Sequence, residues 1–194
     1  MAIEKYTTEG FILRQYEQGE NDLVYKIWTE DFGVLFAVAK SIRKINAKLR
    51  MQSRKHDFIA FTIVKGKDVW RLVGVEELKE TFLYNKKDLS VKKIIAESVD
   101  KFLEEKKPYR KLFQRMKSFF DLESDFINLP INKLKILIYY IVLVDTGYAD
   151  AKIIGASSLE EYKSFSPKDF WTHFILNEEE TKKHLLLVLK DSML

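Results

Sequence analysis

Gly33-Val34-Leu35-Phe36-Ala37-Val38 is apolar at every position after its glycine. A strand in a flat sheet with one wet face alternates apolar and polar residues, so this strand predicts cover on both faces. Runs rich in Val, Ile, Phe, Tyr and Trp surround it, at about 6–15, 22–29, 57–64 and 69–75, which makes five strands in all. Five of the seven glycines (Gly10, Gly19, Gly33, Gly66 and Gly74) fall in this half and punctuate the runs. Glu30-Asp31-Phe32-Gly33 reads as a tight turn, and Lys65-Gly66-Lys67-Asp68 as a hairpin. Glycine tolerates positive φ at such places. Five short strands, with the longest connection between the third and fourth, predict a closed barrel of the OB type, with an SH3-like barrel as the alternative.

The second half carries a helical period. Asp88 is placed to cap a helix to about residue 106, with Val91, Ile94, Ile95, Val99, Phe102 and Leu103 as its buried stripe. Pro108 opens a second helix to about residue 122, with Tyr109, Leu112, Phe113, Met116 and Phe119 facing in. Asn132 is placed to cap a third helix, which Gly147 ends. Residues 136–144 are apolar all round, so this helix should be central. Ser166-Pro167 starts a helix to about 176, and a last one covers roughly 178–191. The expected class is α+β: an OB-type barrel domain over 1–84 and an all-helical domain over 85–194, closely packed at about residue 84.

Composition narrows the chemistry. The chain has 194 residues, 46% hydrophobic and 32% charged, as ordinary globular proteins have, and a net charge of +4. With no cysteine, disulfides, thiolate-held zinc, iron–sulfur clusters and thiol catalysis are excluded. No leader-like segment opens the sequence, and the apolar run 136–144 is too short to span a bilayer, so a cytoplasmic protein is expected. His56, His173 and His184 are scattered, and no phosphate loop or nucleophile elbow is present. Glu76-Glu77 and Glu104-Glu105 are adjacent pairs, which do not project together. No catalytic group and no cofactor are expected.

One segment concentrates charge. Residues 40–56 hold seven cations and no acid: Lys40, Arg43, Lys44, Lys48, Arg50, Arg54 and Lys55. Such a field attracts a polyanion and holds phosphates. Ile42, Ile45 and Leu49 share one side of a helical wheel, so the segment is either a short helix laid on the barrel or a loop that orders on DNA. A membrane anchor would need a larger apolar face. Tyr25, Trp28 and Phe36 are candidates for stacking on bases, although core packing is the commoner use of aromatics. Tyr25 and Trp28 should point to opposite faces, so at most one serves a groove. The turn Glu17-Gln18-Gly19-Glu20-Asn21-Asp22 is acidic and directs any DNA toward the 40–55 side, with Lys65 and Lys67 within reach. A second basic run, Lys106, Lys107, Arg110, Lys111, Arg115 and Lys117, reads as the wet face of a helix or as an extension of the path.

Four stretches occur in order: Glu9-Gly10-Phe11-Ile12-Leu13-Arg14, Gly19-Glu20-Asn21-Asp22, Thr29-Glu30 with Phe32-Gly33, and Ala37-Val38-Ala39-Lys40. Their residues and spacing resemble the N-terminal domain of the RecO family of DNA repair proteins over about the first 84 residues, and Asp145-Thr146-Gly147-Tyr148 resembles the end of that family's central helix. The resemblance implies a non-enzymatic recombination mediator. Such a protein binds single- and double-stranded DNA, anneals strands, engages single-stranded-DNA-binding protein and works with RecR to load RecA. By position it makes Arg14 and the cations from Lys40 onward the DNA contacts. Ser41 stands where the family usually has glycine. Many members carry a zinc-binding cysteine cluster after the Gly-Tyr; this chain has no cysteine, so no metal is expected. The rival expectations are a protein–protein adaptor acting through the helical domain and an OB-type RNA binder.

Overall fold

Glycine at position 33 is what lets the second and third strands fold back on each other. Its φ is 69°, and a Cβ there would collide with the backbone carbonyl of Lys107. The computed structural model describes residues 4–42, 58–66, 69–77, 86–121 and 130–191. Five strands form a closed barrel: β1 (Lys5–Gln18), β2 (Asp22–Thr29), β3 (Gly33–Ala39), β4 (Phe58–Lys65) and β5 (Trp70–Glu77). Their order is β1-β2-β3-β5-β4, with β1 closing on β4 and β3 running parallel to β5. That is the OB arrangement expected from the sequence, not the SH3-like one.

β3 is fully covered on its inner face and in part on its outer face, where Phe36 and Val38 are half-buried. Leu35, Ala37 and Ala39 point into the barrel with Ile12, Tyr25, Ile27, Phe61 and Ile63. Val34 points outward and is also buried. Tyr6, Phe32 and Trp70 pack edge-on or tilted at one margin of this core, with ring centroids 5.2–5.7 Å apart. At Gly66 the need for glycine is space, not positive φ. A Cβ would strike the Val69 carbonyl, which accepts the Gly66 N–H at 3.1 Å.

Residues 1–114 form one compact unit and residues 115–194 another. The expected boundary near residue 84 lies outside the described residues. In the first unit, helix α1 (Lys86–Phe102) lies against β1 with Ile94, Ile95, Val99 and Phe102 buried. It begins before Asp88, which is therefore inside the helix and not its cap, and it stops at Phe102, short of residue 106. Helix α2 (Arg110–Asp121) follows, and within the first unit it buries Leu112 and Phe113.

The second unit centres on α3 (Ile131–Thr146), in which Leu137 through Val144 are buried apart from half-buried Tyr139. Its first-turn flank is Pro130 with no side-chain cap, so Asn132 is not the cap. Gly147 ends it at φ 87°, with its N–H on the Val144 carbonyl and the Tyr148 N–H on the Leu143 carbonyl. This is the Schellman arrangement that Gly147 suggested. A 3₁₀ turn (Ala151–Ile154) and α4 (Leu159–Ser164) precede α5 (Pro167–Leu176) and α6 (Glu178–Asp191). Among the described residues no helix is long and apolar enough to cross a membrane.

Candidate nucleic-acid interface

Each of the four sequence stretches shapes the barrel locally. Gly10 sits inside, where a Cβ would press on Ile27 and the Phe61 ring at 2.9 Å. A register shift between Ile12 and Arg14 lets Leu13 bury while Arg14 still points outward. In the β2–β3 turn, the Thr29 hydroxyl donates to the Gly33 carbonyl at 2.8 Å and accepts from the Phe32 N–H at 3.1 Å. The Glu30 N–H donates to the Glu9 carbonyl at 3.0 Å.

The β1–β2 turn and the exit from β3 meet through Asp22. Its carboxylate accepts the Ser41 N–H at 2.7 Å. Ser41 has φ 56°, so it keeps the left-handed backbone that glycine would adopt there more readily. The turn leading into the basic segment is thus formed with serine in place. Lys40, just before it, is exposed, and Ile42, just after it, is buried and joins the barrel core. Arg43, Lys44, Lys48, Arg50, Arg54 and Lys55, with Ile45 and Leu49, lie outside the described residues.

Arg14 is 59% exposed but is paired with Asp100 of α1, and the same carboxylate takes Lys26 Nζ at 2.6 Å. The Asp100 charge beside it raises the Arg14 pKa further. Asp100 is only 10% exposed, so α1 brings one buried acid to two outward cations of β1 and β2.

The aromatics divide as their spacing requires, but neither is free. Tyr25 points into the barrel and Trp28 outward, where its ring meets Phe113 edge-on at 5.0 Å. Both are fully buried, which withdraws them as base-stacking candidates. Phe36 remains half-buried on the outer face, with Lys26 Nζ 5.7 Å from its ring centre. Tyr16, which sequence reasoning did not single out, is 42% exposed beside it. Its signal was available in the alternation of β1, once the extra residue Leu13 is allowed for.

Three cations of the second basic run, Lys107, Arg110 and Arg115, pair with acids. Lys107 pairs with Glu104 at 2.8 Å, and Arg110 with Asp31 at 3.1 Å. Arg115 is not on a wet face. It is buried, 2.5 Å from Asp145, with the Tyr162 and Phe170 rings each 4.9 Å from its guanidinium. Burial pushes the Asp145 carboxyl up, against the pull of Arg115 and of the Tyr162 hydroxyl. Asp145 belongs to the Asp-Thr-Gly-Tyr stretch, whose aspartate here anchors a buried arginine. Among the described residues no three His, Asp or Glu side chains converge as a metal site requires.

Residues 1–79 match a protein-family model described as "Recombination protein O N terminal". Similar curated proteins are named "DNA repair protein RecO". That of Alkaliphilus metalliredigens (strain QYMF) is 31% identical over 109 residues, 55% of this chain and 44% of the relative. That of Thermoanaerobacter sp. (strain X514) is 30% identical over 113 residues, 57% of this chain and 45% of the relative. That of Clostridium novyi (strain NT) is 25% identical over 129 residues, 65% and 50% respectively. The aligned part of the chain therefore spans about half the length of these relatives or less.

Proposed function

We propose, from the match of residues 1–79 to the RecO N-terminal model, that this chain is a DNA-binding protein of repair and recombination. One observation carries the reading. The barrel leads from β3, past Lys40 and through the turn that Asp22 holds at Ser41, into a segment with six further cations and no acid. Phosphate contacts fix a strand without reading its sequence, so little sequence preference is expected.

In this reading Lys40, Arg43, Lys44, Lys48, Arg50, Arg54 and Lys55 contact phosphates, with Arg14 at the margin, where Asp100 partly neutralises it. The role is non-enzymatic: it binds single- and double-stranded DNA, anneals complementary strands, and cooperates with RecR and single-stranded-DNA-binding protein to load RecA. It requires no cofactor.

Anisotropy of a labelled single-stranded oligomer across a salt series tests the binding. If four to six phosphates are neutralised, log K against log[salt] falls with a slope of roughly −3 to −4. Affinity independent of salt, or none at low salt, contradicts the reading. A strand-annealing assay with complementary oligomers tests the finer claim.

One observation favours a second, compatible reading as an adaptor. Ile175 and Leu176 of α5 and Leu186 and Leu187 of α6 are all exposed. Apolar side chains on neighbouring helices suit a protein partner. Recovery of a partner by a variant that has lost DNA affinity would separate the two roles.

A further inference from the structure

The register of β1, β2 and β3 sorts their outward side chains into rows. Phe11, Trp28 and Val34 form one row and are fully buried. Arg14, Lys26 and Phe36 form the next, and Tyr16, Val24 and Val38 the one beyond. Cover thins along this direction: the Val24 and Val38 side chains are half-buried and Tyr16 is 42% exposed. The Tyr16 and Phe36 rings lie 6.5 Å apart with 36° between their planes.

This open part of the face is bordered by cations. Arg14 lies on one side, and Lys40, the first residue of the basic segment, follows the end of β3. The nearby acidic turn is partly occupied, since Asp22 holds the Ser41 N–H. Lys26 sits over Phe36 and is itself held by Asp100, so the Phe36 ring is fixed before any ligand arrives. A fixed Phe36 ring with the exposed Tyr16 ring beside it, bordered by cations, suits an unpaired base, which offers a flat face to stack on. A duplex hides those faces.

Building on the DNA-binding reading above, we propose that Tyr16 and Phe36 are a stacking platform for the unpaired bases of single-stranded DNA, whose phosphates run between Arg14 and Lys40.

The test compares full-length wild type, Tyr16→Ala and Tyr16→Phe on a labelled oligo-dT and on a duplex of equal length, across salt. Tyr16 is chosen because its exposure makes the substitution structurally mild. The proposal predicts that Tyr16→Ala weakens oligo-dT binding about tenfold, leaves duplex binding and both salt slopes unchanged, and that Tyr16→Phe restores wild-type affinity. It also predicts a photo-crosslink from a bromouracil oligomer to Tyr16 or Phe36. Equal oligo-dT affinity of Tyr16→Ala and wild type overturns the platform but leaves the DNA-binding reading intact. Equal losses on both DNAs with a shallower slope also overturn it, since Tyr16 would then act by positioning Arg14. Failure of wild type to bind either DNA defeats both readings.

Discussion

Ser41 carries a conformational cost that its neighbours offset. A side chain at φ 56° is disfavoured, and the hydrogen bond from its N–H to Asp22 holds the turn closed. Ser41→Gly should therefore stabilise the chain by about 0.5–1 kcal/mol in urea denaturation, since glycine relieves the strain. A loss of stability would mean that the serine hydroxyl has a partner of greater worth than the strain. The sequence marked this position as unusual, because serine replaces an expected glycine. It does not reveal that Asp22, nineteen residues earlier, supplies the acceptor. Arg115 gives the opposite lesson. A run of cations without acids reads as a wet surface, yet Asp145, 30 residues on, turns one member into a buried pair. Local charge patterns are blind to partners brought by the fold.

At the scale of elements, α1 is held to the barrel by apolar burial and by Asp100. Asp100→Ala should cost about 2 kcal/mol in thermal or urea unfolding, because Lys26 is left largely covered without its partner. The part due to Arg14 is small, since that side chain is mostly exposed. An unchanged midpoint would show that the pair contributes nothing to docking.

Helix α5 begins with a capping box. The Ser166 hydroxyl accepts the Asp169 N–H at 3.2 Å, and the Asp169 carboxylate accepts the Ser166 N–H at 2.8 Å. The Ser166 hydroxyl, which donates to the Asp169 carboxylate at 2.6 Å, and then the Ser166 N–H hold that carboxyl below its ordinary value. A depressed acid pKa gives stability that is present above the unfolded value of 3.8 and lost as pH falls through the lower folded value. Asp169→Asn should therefore melt below wild type at neutral pH, and the two should converge in acid; a gap that persists in acid contradicts this. The serine–proline start of α5 was legible. The cap of α4 was legible too but passed over: Ser158 accepts from the Glu161 N–H at 3.1 Å, three residues on, as a capping pattern would suggest. Short helices leave too few turns for a hydrophobic period to register.

For the molecule as a whole, the barrel was readable because its information is local. Strand periods, turn glycines and the doubly apolar β3 mark the five strands, whereas the β3–β5 and β1–β4 pairings that close the barrel join distant segments. Parity along β2 correctly separated Tyr25 from Trp28. What parity cannot supply is the cover on the outer face. Phe113 closes Trp28 from 85 positions away, and Lys106 donates its N–H to the Val34 carbonyl at 2.9 Å. Those contacts take part of the β2–β3 face that an OB barrel often offers to oligonucleotides and leave the Tyr16–Phe36 end open. They also concentrate the functional question on the exit from β3 and the cations that follow it.

The most direct test of that account is anisotropy of single-stranded DNA binding by wild type and by an Arg43→Ala, Lys44→Ala, Lys48→Ala triple variant, measured across salt. The account predicts that the triple variant binds more weakly and that its salt slope is shallower by about two, near 0.7 for each phosphate contact removed. A triple variant with wild-type affinity and slope would contradict it, and would place the DNA site elsewhere on the chain.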